Sequence, residues 1–142
     1  MKIHGDWKMT LISERVILVV TYAPWNKEAA EAFAEDFRRL AITISDPQWA
    51  VIVKMGNEQL MIPDAEPVIA ELNGWAIAHG CVCEAEVIHH SLHAQVVENT
   101  RTAKTTDNYQ QASFDNDADA VAFISDSPVE FSAEQALEWL AE

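Results

Sequence analysis

Residues 49–53 read Trp-Ala-Val-Ile-Val, five apolar positions with no polar alternation. A short continuous run of this kind is what a strand covered on both faces looks like. Asp46-Pro47 stands just before it and stops whatever precedes. Upstream, Phe33, Phe37, Leu40 and Ile44 recur at helical spacing, while Glu31, Glu35, Arg38 and Arg39 fall mostly on the other side. Asn26 is placed to cap that helix, with Glu28 near its positive end. Earlier still, residues 8–12 and 16–22 flank Ser13-Glu14-Arg15 and read as a hairpin.

Downstream of the central run, residues 55–62 read as a loop and Pro63 or Asp64 opens a second helix. Its apolar stripe is Val68, Ile69, Leu72, Trp75 and Ala76; Asn73-Gly74 weakens it and Gly80 stops it. In residues 81–88 the alternation places Cys81, Cys83, Ala85 and Val87 on one face and Glu84 and Glu86 on the other. That pattern predicts a half-exposed strand whose acids discourage edge-to-edge pairing. Ser91 is a cap for a third helix reaching about residue 103, and the polar residues 100–111 read as flexible. A short strand–helix unit repeats weakly within 108–142: Phe114 leads into Ala120-Val121-Ala122-Phe123-Ile124, and Phe131 into Ala136-Leu137-Glu138-Trp139-Leu140. Ser132 and Gln135 fit a reciprocal capping box at the start of the last helix. The expected fold class is α/β: a mixed, partly parallel sheet that starts with a hairpin and carries helices packed on it.

The 142 residues and 15.9 kDa predict a single domain spanning 1–142. With 49% hydrophobic and 23% charged residues, the chain has the balance of a folded globular protein. Its formal charge of -14 argues against a nucleic-acid partner, whose phosphates are held mainly by Lys and Arg, and against an anionic membrane surface. Residues 16–20 form an apolar run too short to span a bilayer, and Asp6 and Lys8 interrupt any signal-peptide segment. Two cysteines make no disulfide framework, so a cytoplasmic location is expected. The acids are unevenly spread: residues 105–142 hold 9 acids and no base. A solvated acidic flank explains this more simply than a docking site for a basic partner.

Two constellations invite metal chemistry. Asp115-Asn116-Asp117-Ala118-Asp119, with Asp126 at the twelfth position, imitates a calcium loop, but Ala120 stands where the sharp turn requires Gly. An acidic helix start, with Asp115 as cap, is the simpler reading. The second set is His79, Cys81, Cys83, His89, His90 and His93, of which Cys81, Cys83, His89 and His93 are the candidate zinc or thiol ligands. Cys-x-Cys in a strand is not the usual Cys-x-x-Cys turn, and cysteines alternating with Ala and Val behave as small buried apolar residues. No cofactor is therefore expected. Nucleophile-elbow, P-loop and dinucleotide motifs are absent, and four scattered glycines cannot close amides around a phosphate. Of the five tryptophans, Trp25, beside Pro24 in a turn, is the candidate exposed aromatic anchor for a partner.

The sequence of a leading hairpin, a long helix, a covered strand, a loop and helix, an acidic-faced strand and a closing Phe…Ala-Leu-Glu-Trp-Leu unit resembles the STAS-like superfamily. These are the domains of sulfate transporters and anti-sigma-factor antagonists, with bacterial single-domain STAS/SEC14-like relatives. The resemblance implies a non-catalytic regulatory or protein-interaction module. In antagonist members a Ser or Thr after the covered strand is phosphorylated; here the matching residues 55–64 contain no hydroxyl, and none occurs from 46 to 90. The phosphoswitch therefore does not carry over; Asp64 and Glu66 are either a permanent charge in its place or, more simply, helix capping. Under this reading the binding residues are Trp25, Met55, Asn57, Glu58, Asp64 and Glu66, and the partner is a protein, with a homodimer as one form. Two alternatives stand beside it: a carrier of a small apolar ligand or lipid, and a metal or thiol enzyme built on the Cys/His set.

Overall fold

A computed structural model describes residues 6–22, 25–55, 63–88 and 108–142. Five strands form one sheet in the order β1-β2-β3-β4-β5: β1 (Trp7–Ile12), β2 (Val16–Thr21), β3 (Trp49–Met55), β4 (Cys81–Val87) and β5 (Gln110–Phe114). The hairpin β1–β2 is antiparallel and every later pairing is parallel. Its turn sets Ser13 and Glu14 in the left-handed region, at φ 51° and 61°. Positive φ at both central residues matches the twist of the two strands.

Helices α1 (Lys27–Ala41) and α2 (Glu66–Ala78) cover one face; α3 (Asp117–Ser125) and α4 (Ala133–Ala141) cover the other. Among the described residues the fold is thus α/β, with a mixed five-stranded sheet and four helices packed on it, as the sequence predicts. The covered run behaves as read: Trp49 and Val51 pack towards α1 and α2, while Ala50 and Ile52 pack towards α3 and α4. Along α1 a line of rings runs from Trp7 and Trp25 through Phe33 and Phe37 to Trp49, with successive centroids 4.6–6.1 Å apart. Aromatic pairs at such distances add attraction beyond the area they bury. No helix among the described residues is long and apolar enough to cross a membrane.

Asn26 caps α1 as expected, its Oδ1 accepting from the Ala29 N–H at 2.9 Å. Other local expectations are corrected. Asp64 does not cap α2: a 3-10 turn (Pro63–Ala65) intervenes, Ala65 occupies the cap position, and no side chain bonds there. Asn116, not Asp115, caps α3, accepting from the Asp119 N–H. Asp126 lies at the far end of that nine-residue helix, about 13 Å of axial rise from the acids at its start, so the calcium-loop spacing is not realised. Met55 belongs to β3 rather than to a loop.

The repeat in residues 108–142 is real only in its helices. Its first copy enters from β5, whereas the second enters α4 without a strand. Half of the capping box forms, with Ser132 Oγ accepting from the Gln135 N–H at 3.2 Å. The other half is supplied from the hairpin turn, because Ser132 N–H donates to Ser13 Oγ at 3.1 Å. The putting of Gln110 and Gln111 in β5, and of Tyr109 in the core, overturns the flexible reading of that end of residues 100–111. The predicted third helix, and residues 89–107 as a whole, lie outside the described residues.

Candidate functional site

In an α/β sheet the strand ends, where loops turn towards helices, are the usual place for a site. Here the carboxyl ends of β2, β3 and β4 present three kinds of surface on the α1/α2 face. The first is aromatic. Thr21 ends β2 and is paired in register with Trp7 on one side and Met55 on the other. Trp7 meets Trp25 edge-on at 5.7 Å, and Trp25 leans on Phe33 at 4.6 Å. The expectation that Trp25 is an exposed anchor is therefore wrong: only 2% of it is accessible. The rings that enclose it come from positions 7 and 33, which only the tertiary fold brings to the turn.

The second surface is polar. Glu84 and Glu86 point to the α1/α2 face, where Gln111 of β5 stands beside them. One amide nitrogen serves both acids: Gln111 Nε2 donates to Glu84 Oε2 at 3.0 Å and to Glu86 Oε1 through a shorter contact. An amide NH2 has two hydrogens, so each carboxylate can take one. Asn73 of α2 reaches the same group, with Nδ2 at 3.4 Å from Glu84 Oε1 and 3.5 Å from the Tyr109 hydroxyl. Burial, then the charge of Glu84, push the Tyr109 phenol far above its ordinary range, so it stays protonated. This corrects the view of β4 as an edge with a solvated acidic face. The strand is internal, lying between β3 and β5, and Glu86 is fully buried. Alternating glutamates gave no warning of this, because their burial depends on a partner strand some 25 residues on.

The third surface is the rim of the notional contact edge. Met55 is half-buried at the end of β3, Asp64 is exposed and Glu66 is half-exposed. Asn57 and Glu58 lie outside the described residues. Met55 and Asp64 thus frame the stretch between them.

The thiols fall elsewhere. β3 and β4 slip register between Trp49/Ala50, so that Trp49 faces Cys81 while Ala50 faces Cys83. The intervening Val82 is an extra residue, a β-bulge, and it turns the two cysteines to opposite faces. Cys81 packs under α1 and α2; Cys83 packs with α3 and α4. This overturns the reading that put Cys81 and Cys83 on one face, and with it any ligand set using both. His79 sits at the end of α2, its ring stacked on Trp75 at 4.2 Å and its Nδ1 bonded to the Trp75 carbonyl. His89, His90 and His93 lie outside the described residues, among which no three metal-binding side chains gather.

Both free thiols are poor nucleophiles where they stand. Burial, reinforced by Glu84, raises Cys81 well above its ordinary value and pushes Cys83 up to about 12. The unfolded chain releases these protons near pH 9, whereas the folded chain retains them. The stabilisation is therefore complete below pH 9 and is lost as pH rises towards the folded-state values. We expect urea unfolding at pH 10 to show a stability at least about 1.4 kcal/mol below that at pH 8, with a smaller difference in Cys83→Ala. A flat profile, or rapid labelling of both thiols in the native protein at pH 8, would contradict this account.

Comparison with protein-family models, curated proteins and solved structures gives no match. The candidate site is accordingly defined by its own geometry.

Proposed function

We infer that the chain is a non-catalytic interaction module of the kind the STAS-like resemblance implies, with its contact edge between Met55 and Asp64. The observation that carries this reading is the frame just described. Met55 ends a strand covered on both faces, and Asp64 lies in the turn Pro63–Ala65 that leads, through buried Ala65, into α2. Both ends of the edge are therefore anchored in the core, while their side chains reach the surface. The groups with chemical reach support the same view: the thiols are buried on opposite faces, Tyr109 is held neutral, and Glu86 is engaged by Gln111.

The test is affinity capture from lysate of the source cells. Wild type is compared with a Met55→Asp, Asp64→Lys variant and with a Glu134→Gln, Glu138→Gln control on the α4 surface. We expect one protein band to fall at least tenfold with the edge variant and to persist with the control. Equal recovery by all three would place the contact elsewhere.

A further inference from the structure

We propose that β1 is a homodimerisation edge: two copies of the chain pair antiparallel through this strand, about a two-fold axis at Met9, and join their sheets into one. Among the described residues β1 has a neighbour on one side only, β2. Which of its backbone groups face the other side follows from the hydrogen bonds at the ends of the hairpin. The Tyr22 N–H donates to the Asp6 carbonyl at 3.0 Å, and the Arg15 carbonyl accepts from the Ala50 N–H of β3 at 3.0 Å. Directions alternate along a strand, so Val16, Leu18 and Val20 turn to β1 and bond Ile12, Thr10 and Lys8. The N–H and C=O groups of Trp7, Met9 and Leu11 therefore point away from the sheet. The Trp7 N–H fits this placement, since it donates to Asp6 Oδ1 at 2.8 Å.

An open edge of this kind recruits another strand unless something blocks it. β1 carries none of the usual blocks. It keeps unbroken register with β2 over its whole length, without bulge or proline. Its only charge, Lys8, is drawn back over the Trp139 ring of α4, at 4.7 Å from the centroid. Trp7, Met9 and Leu11 are half-buried on the α1/α2 face, so their exposed parts form an apolar row along the edge. The opposite edge strand, β5, reads Gln-Gln-Ala-Ser-Phe and offers no such row.

The occupant that fits is a second copy, because the strand complements itself. Antiparallel pairing needs outward residues opposite outward residues, and the register centred on Met9 achieves this along the strand. Met9 exchanges both bonds with the partner's Met9, and each Leu11 N–H donates to the partner's Trp7 carbonyl. Apolar side chains then meet apolar ones on the α1/α2 face, and Lys8 meets the partner's Thr10 on the other. A register centred on Lys8 would set two lysines directly opposite, which is destabilising. One centred on Thr10 would set Trp7 against the hairpin turn. β1 also holds none of the 23 acids that give the chain its charge of -14, so two copies meet here without acid facing acid. The inference is independent of the contact edge and uses no residue of 55–64.

Sedimentation equilibrium of the full chain over a concentration series is the test. We expect a reversible monomer–dimer equilibrium that tightens with added salt, which screens the repulsion between two acidic copies. Met9→Pro removes an N–H that the hairpin does not use, so it should fold and dimerise at least tenfold more weakly. Met9→Lys, which opposes two charges across the axis, should do the same and carries the test if the proline variant folds poorly. The Met55→Asp, Asp64→Lys variant should dimerise as wild type. Register is read by disulfide formation with oxidised glutathione: Met9→Cys should cross-link to itself. Leu11→Cys should not, because its copies stand roughly 13 Å apart along the seam. A single 15.9 kDa species up to millimolar concentration would overturn the proposal. So would a dimer undiminished in folded Met9→Lys, one that salt weakens, or cross-linking of Leu11→Cys as ready as that of Met9→Cys.

Discussion

Gly80→Ala is expected to lower the stability of the fold by about 3–5 kcal/mol, roughly 10 °C or more in unfolding midpoint. Two separate costs coincide there. Gly80 has φ +107°, a conformation from which a Cβ is largely barred, and the residue ends α2 where β4 must begin. An added methyl group would also collide with the Pro47 carbonyl oxygen and come within 3.1 Å of Trp49 Nε1. Neither neighbour can yield cheaply. Gly80 O accepts from the Trp49 N–H at 3.0 Å, and the adjoining His79 carbonyl holds the Trp49 indole at 2.8 Å. The turn therefore ties α2, the start of β3 and the start of β4 together. Thermal unfolding followed by far-UV circular dichroism measures the effect, and a loss below about 1 kcal/mol would show that the turn can relax.

Lys54→Met should be the next largest loss, about 2 kcal/mol, with the hydrophobic stem retained and only the ammonium removed. Lys54 Nζ donates to Asp117 Oδ2 and to the Leu140 carbonyl, each at 2.9 Å. It thereby joins the middle of the sheet to the start of α3 and the end of α4. The positive charge sits at the carboxyl end of α4, where the helix dipole favours it. Both partners are about a quarter exposed, which holds the expected loss below that of a fully buried pair. Removing the lysine leaves Asp117 without its counter-charge, so Lys54→Met with Asp117→Asn should recover part of the loss. Chemical denaturation of the two single variants and the double variant gives the coupling; strictly additive losses would mean the pair contributes nothing of its own.

What could be read from the residues, and what could not, divides along a physical line. The hairpin, α1 with its Asn26 cap, the covered strand and the Gly80 stop rest on local signals: periodicity, one capping side chain, one glycine. The errors all concern contacts made at long range or shifts of one residue. Trp25 looked exposed because its enclosure needs Trp7 and Phe33. Glu84 and Glu86 looked solvated because Gln111 arrives only when β5 pairs with β4. Asp115 lost the cap of α3 to its neighbour Asn116. Asp64 lost that of α2 because the chain makes a tighter turn first. The polar group around Gln111 was missed as a unit for the same reason, since nothing near 84 names residue 111. Thr21 gave no signal at all: a threonine closing an apolar strand is ordinary until its hydroxyl is found to be buried.

The extra residue in β4 has a consequence for how this gene product could shorten. Excising Val82 would bring Cys81 and Cys83 next to each other opposite Trp49 and Ala50, the neighbours they already face. Adjacent residues of a regular strand point in opposite directions, so every inward group would keep its present side. Where a one-residue loss elsewhere in a strand turns it inside out, here it would merely straighten the ribbon, so the chain is insured against deletion at this one position.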